Sequence, residues 1–253
     1  MKTVTILTIA RSGSSLLAGI LQRLGVNMGS ERDMVLGTHL NKYGSHENQD
    51  FISFSVNILF DVGILLDFMK RLDDYEEKMT VIAEKYRPQF KELLNQYASD
   101  LWGFKEASLI YYLPYLHNEI KNPYYIHLIR NYDSTANSLL DMVSRKHWRH
   151  EFREKMKFFP FWKRIHLILR IARILFENRK TKNQESFRKV VVDAHERIER
   201  FLVKKPHFTI QLEKLTENPD EVISDLVGFL EITPSQEQIN DAIAFVHPEL
   251  LTK

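Results

Sequence analysis

An arginine, three serines and a glycine follow the first apolar run of this chain, at residues 11–15 (Arg11-Ser12-Gly13-Ser14-Ser15). An apolar strand, a turn of small residues and a helical start form an arrangement that holds phosphate. The N–H groups at a helix N-terminus lack partners inside the helix, and the helix dipole adds roughly half a positive charge there. The serine hydroxyls add donors, Gly13 lets the backbone approach closely, and Arg11 can bind two oxygens at once. The segment predicts an anion site; the alternative is an ordinary strand-to-helix turn capped by a serine.

The turn lacks the signatures of two common phosphate-binding loops. A Walker A loop needs a second glycine followed by lysine, whereas Leu16 and Leu17 follow the serines here. A nucleoside triphosphate with its magnesium ion is therefore poorly supported. The chain also has no G-x-G-x-x-G pattern, so a dinucleotide-binding fingerprint is excluded.

A second arginine follows another apolar run. Tyr124–Ile129 is predicted to be a strand, Arg130 comes directly after it, and Ser138 lies eight residues beyond Arg130 on the next predicted helix. Ligands bind at the carboxyl ends of strands in open α/β sheets, so one ligand group could touch both side chains. The pair suits a phosphate monoester. If Arg130 is considered alone, the alternative to phosphate binding is a structural ion pair.

Strand and helix patterns alternate along the chain. Strands are predicted at Lys2–Ile9, Leu101–Lys105, Tyr124–Ile129 and Phe208–Leu212. Helices are predicted at Ser14–Leu24, Asn48–Phe68, Asp74–Tyr97 (kinked or divided at Pro88), Ser108–Ile120, Ser134–Val143, Pro219–Leu230 and Ser235–Val246, with two or three more between Arg145 and Lys205. This alternation predicts an α/β fold, a parallel sheet flanked by helices with helical insertions. No repeat or linker is found, so residues 1–253 are expected to form a single domain.

Composition limits the possible functions. The 253 residues are 44% hydrophobic, which is enough for a sizeable core, and the net charge of +2 argues against a nucleic-acid partner. The absence of cysteine excludes disulfides, thiolate metal sites and cysteine nucleophiles. No apolar run of about 18 residues occurs and a strand begins almost at once, so we expect no transmembrane segment, no signal peptide and a cytoplasmic location. The oligomeric state stays open.

The two anion sites together resemble those of the sulfotransferase family, whose donor is 3'-phosphoadenosine 5'-phosphosulfate. Members bind the donor's 5'-phosphosulfate with a strand-loop-helix similar to residues 10–17 (Ala10-Arg11-Ser12-Gly13-Ser14-Ser15-Leu16-Leu17) and its 3'-phosphate with an arginine and a serine spaced like Arg130 and Ser138. Residues 41–47, 101–105, 208–215 and the tail from Asn218 are similar too, so the likeness covers most of the chain. The resemblance implies a P-loop-like fold and transfer of a sulfuryl group to a hydroxyl or amine of an unidentified small-molecule or carbohydrate acceptor.

The chain departs from the family pattern at several positions. Many members have lysine at the position of Arg11; the arginine keeps the positive charge, as it does in bacterial-type members. Asn131-Tyr132 replaces the common Asp-Pro. The late glycine-rich loop over the adenine is missing, so no adenine contacts are predicted. Ala107 occupies the position of the histidine that serves as base in many members. Another residue must therefore take the acceptor's proton.

The resemblance implies a role for each remaining site residue. Arg11 and the following turn would stabilise the leaving phosphate, Lys105 would reach the bridging oxygen or the sulfonate, and Glu47 would be the general base. The alternatives are a surface ion pair for Lys105, a capping role at the helix near Asn48 for Glu47, and His46 as the base. Glu213 is expected to brace the end of the sheet. No metal is implied.

Further expectations concern the neighbouring segments. Asp133 is expected to cap the helix that follows it. The aromatic residues that could line an acceptor pocket are expected instead to be core, namely Phe51, Phe54, Phe60, Tyr111, Tyr112 and Trp148. Two other functions stay open: a nucleotide-dependent phosphotransferase of related P-loop fold, and a non-catalytic binding protein whose basic region at residues 145–182 docks an acidic partner.

Overall fold

The computed structural model describes residues 1–30, 32, 34, 46–65, 75–144, 156, 163–166, 168 and 183–246. Some predictions lie outside these residues: the turn at residues 41–45, the predicted helix beyond Leu65, most of the basic region with Trp148, and the tail from His247. The fold and the site below concern the described residues.

The described part of the chain forms a sheet of four parallel strands. They are β1 (Lys2–Leu7), β2 (Leu101–Lys105), β3 (Pro123–Ile129) and β4 (His207–Gln211), in the spatial order β2-β1-β3-β4. The strands are rich in apolar and β-branched residues, as is typical of parallel strands covered on both faces. The first, third and last strands differ from the prediction only at their ends.

The strand order reverses at β1. The chain passes from β1 to β2 on one side and then crosses to β3 on the other, so that Ile6 pairs with Lys105 in β2 and with Ile126 in β3. In such doubly wound sheets a crevice opens beyond the carboxyl ends of the strands where the order reverses, and ligands bind there. The turns that carry Arg11 and Arg130 flank this crevice.

The described helices are α1 (Ser14–Arg23), α2 (Gln49–Val62), α3 (Glu76–Tyr97), α4 (Leu109–Leu116), α5 (Tyr132–Ser144), α6 (Gln184–Leu202), α7 (Leu212–Glu217), α8 (Pro219–Leu230) and α9 (Gln236–Ala244). Helix α2 ends earlier than the predicted Phe68, because Gly63 adopts a left-handed conformation after Val62. Helix α3 is not divided at Pro88. The helix predicted to reach Ile120 ends at Leu116, and a 3₁₀ turn follows it. None of the described helices is long and apolar enough to cross a membrane.

Two hydrophobic cores cover the two faces of the sheet, since successive strand residues point to opposite faces. One core joins Val4, Ile6 and Ile126 to helices α1 and α8. The other joins Leu7, Trp102, Phe104 and Tyr125 to helices α2, α3, α4 and α6. Each fully buried aliphatic side chain in these cores contributes about 1.5–3 kcal/mol to the stability of the folded state. The predicted α/β fold with helices on both faces is confirmed, and the five described aromatic residues expected to be core belong to or pack against the second core.

Candidate functional site

The turn between β1 and α1 has an unusual backbone. Arg11 and Gly13 both adopt left-handed conformations, with φ of 70° and 84°. A left-handed conformation costs a non-glycine residue roughly 1–2 kcal/mol, and such strain clusters at functional sites. At residue 13 a Cβ atom would lie 2.7 Å from Cδ2 of Leu212. Glycine therefore suits this position for both its conformation and its size.

Helix α1 begins without a side-chain cap. Its N-cap is Gly13, whose carbonyl accepts hydrogen bonds from the N–H groups of Leu16 (3.0 Å) and Leu17 (3.3 Å). The alternative of a serine N-cap is therefore wrong. Leu16 is one of the residues predicted to bind the nucleotide. Its N–H already donates to the Gly13 carbonyl within the turn, and its side chain packs in the core. With no acidic residue in its first turn, the helix presents an N-terminus that favours an anion.

Lys105 extends from the end of β2 into the same turn. Its Nζ donates hydrogen bonds to Ser14 Oγ (3.2 Å), Ser15 Oγ (3.3 Å) and Glu47 Oε1 (3.2 Å). These contacts match the three donors of an ammonium group. The side chain of Lys105 is only 4% exposed. The lysine does form an ion pair, as its alternative interpretation stated, but the pair lies inside the site and not on the surface.

Glu47 precedes helix α2 and does not cap it. The cap is Asn48, whose Oδ1 accepts from the N–H groups of Asp50 (2.8 Å) and Phe51 (3.4 Å). The capping alternative for Glu47 is therefore wrong. Its carboxylate instead contacts Lys105 and is 25% exposed, so it lies at the site and is accessible to a ligand.

His46, the alternative base, lies next to Glu47 in a left-handed conformation with φ of 50°. Burial, followed by the charges of Lys105 and Arg23, lowers the pKa of His46 to about 4. The imidazole is therefore neutral at pH 7, and at that pKa it attracts a proton no more strongly than a carboxylate does. Glu47 has the direct contact with Lys105 and is the better placed of the two.

The second predicted anion site adjoins the first. Arg11 Nε donates to Ser138 Oγ at 3.1 Å, and Arg130 NH1 donates to the backbone carbonyl of Arg11 at 3.1 Å. That carbonyl is the partner described for Arg130, so four of its five N–H donors make no hydrogen bond to the described residues. Burial lowers the pKa of Arg130, Glu213 raises it and Arg11 lowers it, but the guanidinium stays charged at neutral pH.

The turn after β3 is held from two sides. Asn131 Oδ1 accepts a hydrogen bond from the N–H of Ser134 at 3.0 Å, so Asn131 caps α5. The expectation that Asp133 caps this helix is wrong: Asp133 Oδ1 accepts from Arg188 Nε at 3.0 Å. Glu213 Oε1 accepts from the N–H of Asn131 at 2.8 Å, so Glu213 braces the end of the sheet as predicted.

Sequence reasoning missed a buried polar cluster directly after Lys105. Glu106 Oε2 accepts from Ser55 Oγ at 2.8 Å and from the N–H of Ser108 at 2.8 Å. Ser55 Oγ also shares a hydrogen bond with Tyr112 OH at 2.8 Å. A charged residue directly after a buried strand was the signal in the sequence for Glu106. Ser55 carries no such signal, because serine is ordinary in a helix.

The described contacts bring two arginines, a lysine and a helix N-terminus to the switch point of a doubly wound sheet, which makes this an α/β protein whose crevice concentrates positive charge. The fold is that of sulfotransferases. The sulfotransferase domain from the curacin biosynthetic pathway matches with a TM-score of 0.51 and 18% identity, over 94% of this chain and 76% of that chain. Sulfotransferase STF9 from Mycobacterium avium matches with a TM-score of 0.51 and 11% identity, over 98% of this chain and 68% of that chain. No protein-family model and no curated protein matches the sequence. The predicted resemblance is confirmed at the level of the fold.

Proposed function

We propose that this chain is a sulfotransferase that moves a sulfuryl group from 3'-phosphoadenosine 5'-phosphosulfate to a hydroxyl or amine of a small-molecule or carbohydrate acceptor. The observation that carries the proposal is the hydrogen bond from Arg130 to the carbonyl of Arg11. A nucleotide with anionic groups at both its 5' and 3' positions can bridge two sites only where they adjoin. The sulfotransferase fold supports the same activity, and we propose that residues 1–253 act as one domain.

The residues present suit the two anionic ends of this donor. At the 5' end, the N-terminus of α1 and the hydroxyls of Ser14 and Ser15 would bind the phosphosulfate. Ser12 Oγ is buried and makes no hydrogen bond within the described residues, which costs about 1–3 kcal/mol until a partner is supplied. At the 3' end, Arg130 and Ser138 would bind the phosphate with charge-assisted hydrogen bonds.

The donor supplies the sulfuryl group, and negative charge grows on its bridging oxygen as the sulfur–oxygen bond breaks. Fixed positive charge at that oxygen lowers the barrier. Arg11, which lies in the turn, and Lys105, which contacts Ser14 and Ser15 of the same turn, would supply this charge. The leaving group is then 3'-phosphoadenosine 5'-phosphate, and the new bond joins the sulfur to the acceptor's oxygen or nitrogen.

Glu47 is the proposed general base. The acceptor must lose a proton as the new bond forms, and a base has to lie within hydrogen-bond reach of it. The 3.2 Å contact between Glu47 Oε1 and Lys105 Nζ keeps the base beside the cation that would bind the sulfonate. The proton of the acceptor would pass to the Glu47 carboxylate and from there to water.

Calorimetry with three nucleotides tests the proposal. We expect 3'-phosphoadenosine 5'-phosphate to bind, and adenosine 5'-phosphate to bind at least about 10-fold more weakly because it lacks the group that Arg130 and Ser138 would hold. Failure of the bisphosphate to bind pure, folded protein would overturn the proposal. Preference for ATP with magnesium would instead favour a phosphotransferase. Binding without any loss of turnover in Lys105→Ala and Glu47→Gln would favour a non-catalytic binding protein.

A further inference from the structure

Three successive contacts join helix α2 to the end of β2. On the α2 side, Phe51 and Ser55 are four residues apart within the helix, the spacing that places helical residues on one face, and Glu47 lies just before the N-cap Asn48. On the β2 side the contacts are made by three consecutive residues, Phe104, Lys105 and Glu106. The segment formed by Glu47 and α2 is therefore connected at three points to the end of β2, which carries the proposed lysine.

The contact at Glu47 is the first of the three and the one at the site. The second is a stack of the Phe51 and Phe104 rings, with centroids 4.5 Å apart. The third is the hydrogen bond of 2.8 Å from Ser55 Oγ to Glu106 Oε2. Ser55 lies about 9 Å along the helix axis from Gln49, the first residue of α2, because each helical residue adds about 1.5 Å, and Glu47 stands two residues before Gln49. A rigid helix transmits its position over that distance.

The third contact, between Ser55 and Glu106, is buried, and burying it lowers the stability of the protein. Glu106 is 8% exposed, and Ser55 and Tyr112 are 1% and 0% exposed. The Tyr112 ring lies against Phe54 and Phe90, with centroids 5.4 Å and 6.1 Å apart. Burying a carboxylate beside an aromatic cluster carries a desolvation penalty of about several kcal/mol, which apolar side chains of similar volume would avoid. Stability alone does not account for this cluster.

We propose that Ser55 and Glu106 are positioning residues that set the distance between Glu47 and Lys105. Glu106 directly follows Lys105 in the chain, so a shift of the Glu106 carboxylate moves the end of β2. Ser55 donates its hydroxyl hydrogen bond to Glu106, so this bond anchors α2 and with it Glu47, which precedes the helix. The kinetic consequence of this role rests on the proposed function, whereas its geometric consequence does not.

Ser55→Ala is the test variant. Glu106 also accepts the N–H of Ser108 at the start of α4, so changing Glu106 would disturb a second helix. Ser55→Ala removes the link to α2 and leaves that contact in place. Tyr112→Phe is the matched control for the buried cluster, since it leaves the Ser55–Glu106 bond intact. Thr80→Ala is the surface control, because Thr80 is exposed in α3 and its hydroxyl donates to the carbonyl of Glu76 in the same helix.

Turnover is followed as release of 3'-phosphoadenosine 5'-phosphate from the donor with water as the sulfuryl acceptor. We expect Ser55→Ala to lower turnover about 10- to 100-fold with an unchanged Kd for 3'-phosphoadenosine 5'-phosphate, because misplacing a reacting group by about 1 Å costs that much. Both controls should keep wild-type turnover. Equal losses in Ser55→Ala and Tyr112→Phe would overturn the proposal, since they would indicate general loosening of the core.

Two further readouts separate positioning from a merely structural role. If Ser55 acts through Glu47, Ser55→Ala adds no further loss in a Glu47→Gln background, whereas losses that multiply would overturn the proposal. A crystal structure of Ser55→Ala should show Glu47 out of hydrogen-bond reach of Lys105. An intact Glu47–Lys105 contact there would also overturn it. This last result does not depend on activity, so it distinguishes failure of the positioning role from failure of the proposed sulfotransferase function.

Discussion

Arg130 NH1 donates a hydrogen bond to the backbone carbonyl of Arg11 at 3.1 Å, across 119 residues of sequence. The side chain of Arg11 in turn donates to Ser138 Oγ at 3.1 Å. Each predicted anion site therefore donates a hydrogen bond to a residue of the other site. The guanidinium of Arg130 therefore holds the left-handed backbone of Arg11 at its carbonyl, and the hydroxyl of Ser138 holds the Arg11 side chain.

Arg130→Ala should weaken binding of 3'-phosphoadenosine 5'-phosphate about 10- to 100-fold, because hydrogen bonds to charged groups contribute about 1.5–3 kcal/mol. Calorimetry measures the change in Kd. The control is Arg188→Ala, which removes a guanidinium that is 53% exposed and paired with Asp133. If the two variants bind the bisphosphate equally well, Arg130 does not hold the 3'-phosphate.

Glu47→Gln should lower turnover by about 10²–10⁴-fold, the usual contribution of a general base. The Kd of 3'-phosphoadenosine 5'-phosphate should stay the same or fall, because Lys105 loses an anionic partner and becomes available to the nucleotide. Steady-state turnover and calorimetry give the two values. Glu84→Gln, at an exposed carboxylate paired with Arg87, is the control and should change neither. Weaker nucleotide binding by Glu47→Gln would contradict the assignment.

Gly13→Ala should destabilise the protein by about 1–3 kcal/mol, because its φ of 84° is strained for any side chain and its Cβ would lie 2.7 Å from Leu212 Cδ2. Urea unfolding measures the free energy. Gly228→Ala is the matched control: it lies within α8, where a Cβ would meet nothing within 4 Å. Replacing a helical glycine stabilises by roughly 0.5–1 kcal/mol. Shifts of the same sign in both variants would refute the assigned conformation.

The buried histidines of β3 and α6 should make the protein sensitive to acid. His127 Nε2 and His195 Nδ1 lie 2.9 Å apart, and the Tyr132 ring stacks on His195. Burial, followed by the charges of His195 and His207, lowers the pKa of His127 to about 3, and burial lowers the pKa of His195 to about 4. In the unfolded chain both titrate near about 6.5, so the unfolded state binds more protons between these values.

The contribution of these two histidines to the free energy of unfolding should therefore be constant above about pH 7 and fall as the pH decreases from about 6.5 toward about 4. Urea midpoints at about pH 7 and about pH 5 measure this loss. His127→Gln/His195→Gln should reduce it, whereas His207→Gln, at an exposed histidine, should leave most of it. A double variant with the full wild-type loss would assign the acid sensitivity to other groups.

Local patterns predicted the elements of this fold well. The strand ends agree with the structure to within two residues, since short apolar runs between turn residues leave little choice of position. The errors have tertiary or local causes. The end of α2 was predicted too late, because Gly63 stops the helix. Two residues near the start of α5 have side chains that can cap a helix; the prediction chose Asp133, and the structure uses Asn131.

The amino-acid order by itself determined the parallel α/β fold, the phosphate-suited turn at residues 11–15 and the candidate Arg130, because each depends on local patterns in the chain, whereas Glu47 and Lys105 were assigned from the resemblance to sulfotransferases. Only the tertiary structure decided which of these meet. Lys105 reaches Ser14 across 91 residues, and Ser55 reaches Glu106 across 51. Such contacts depend on strand order and on how helices pack against the sheet, which no local propensity encodes.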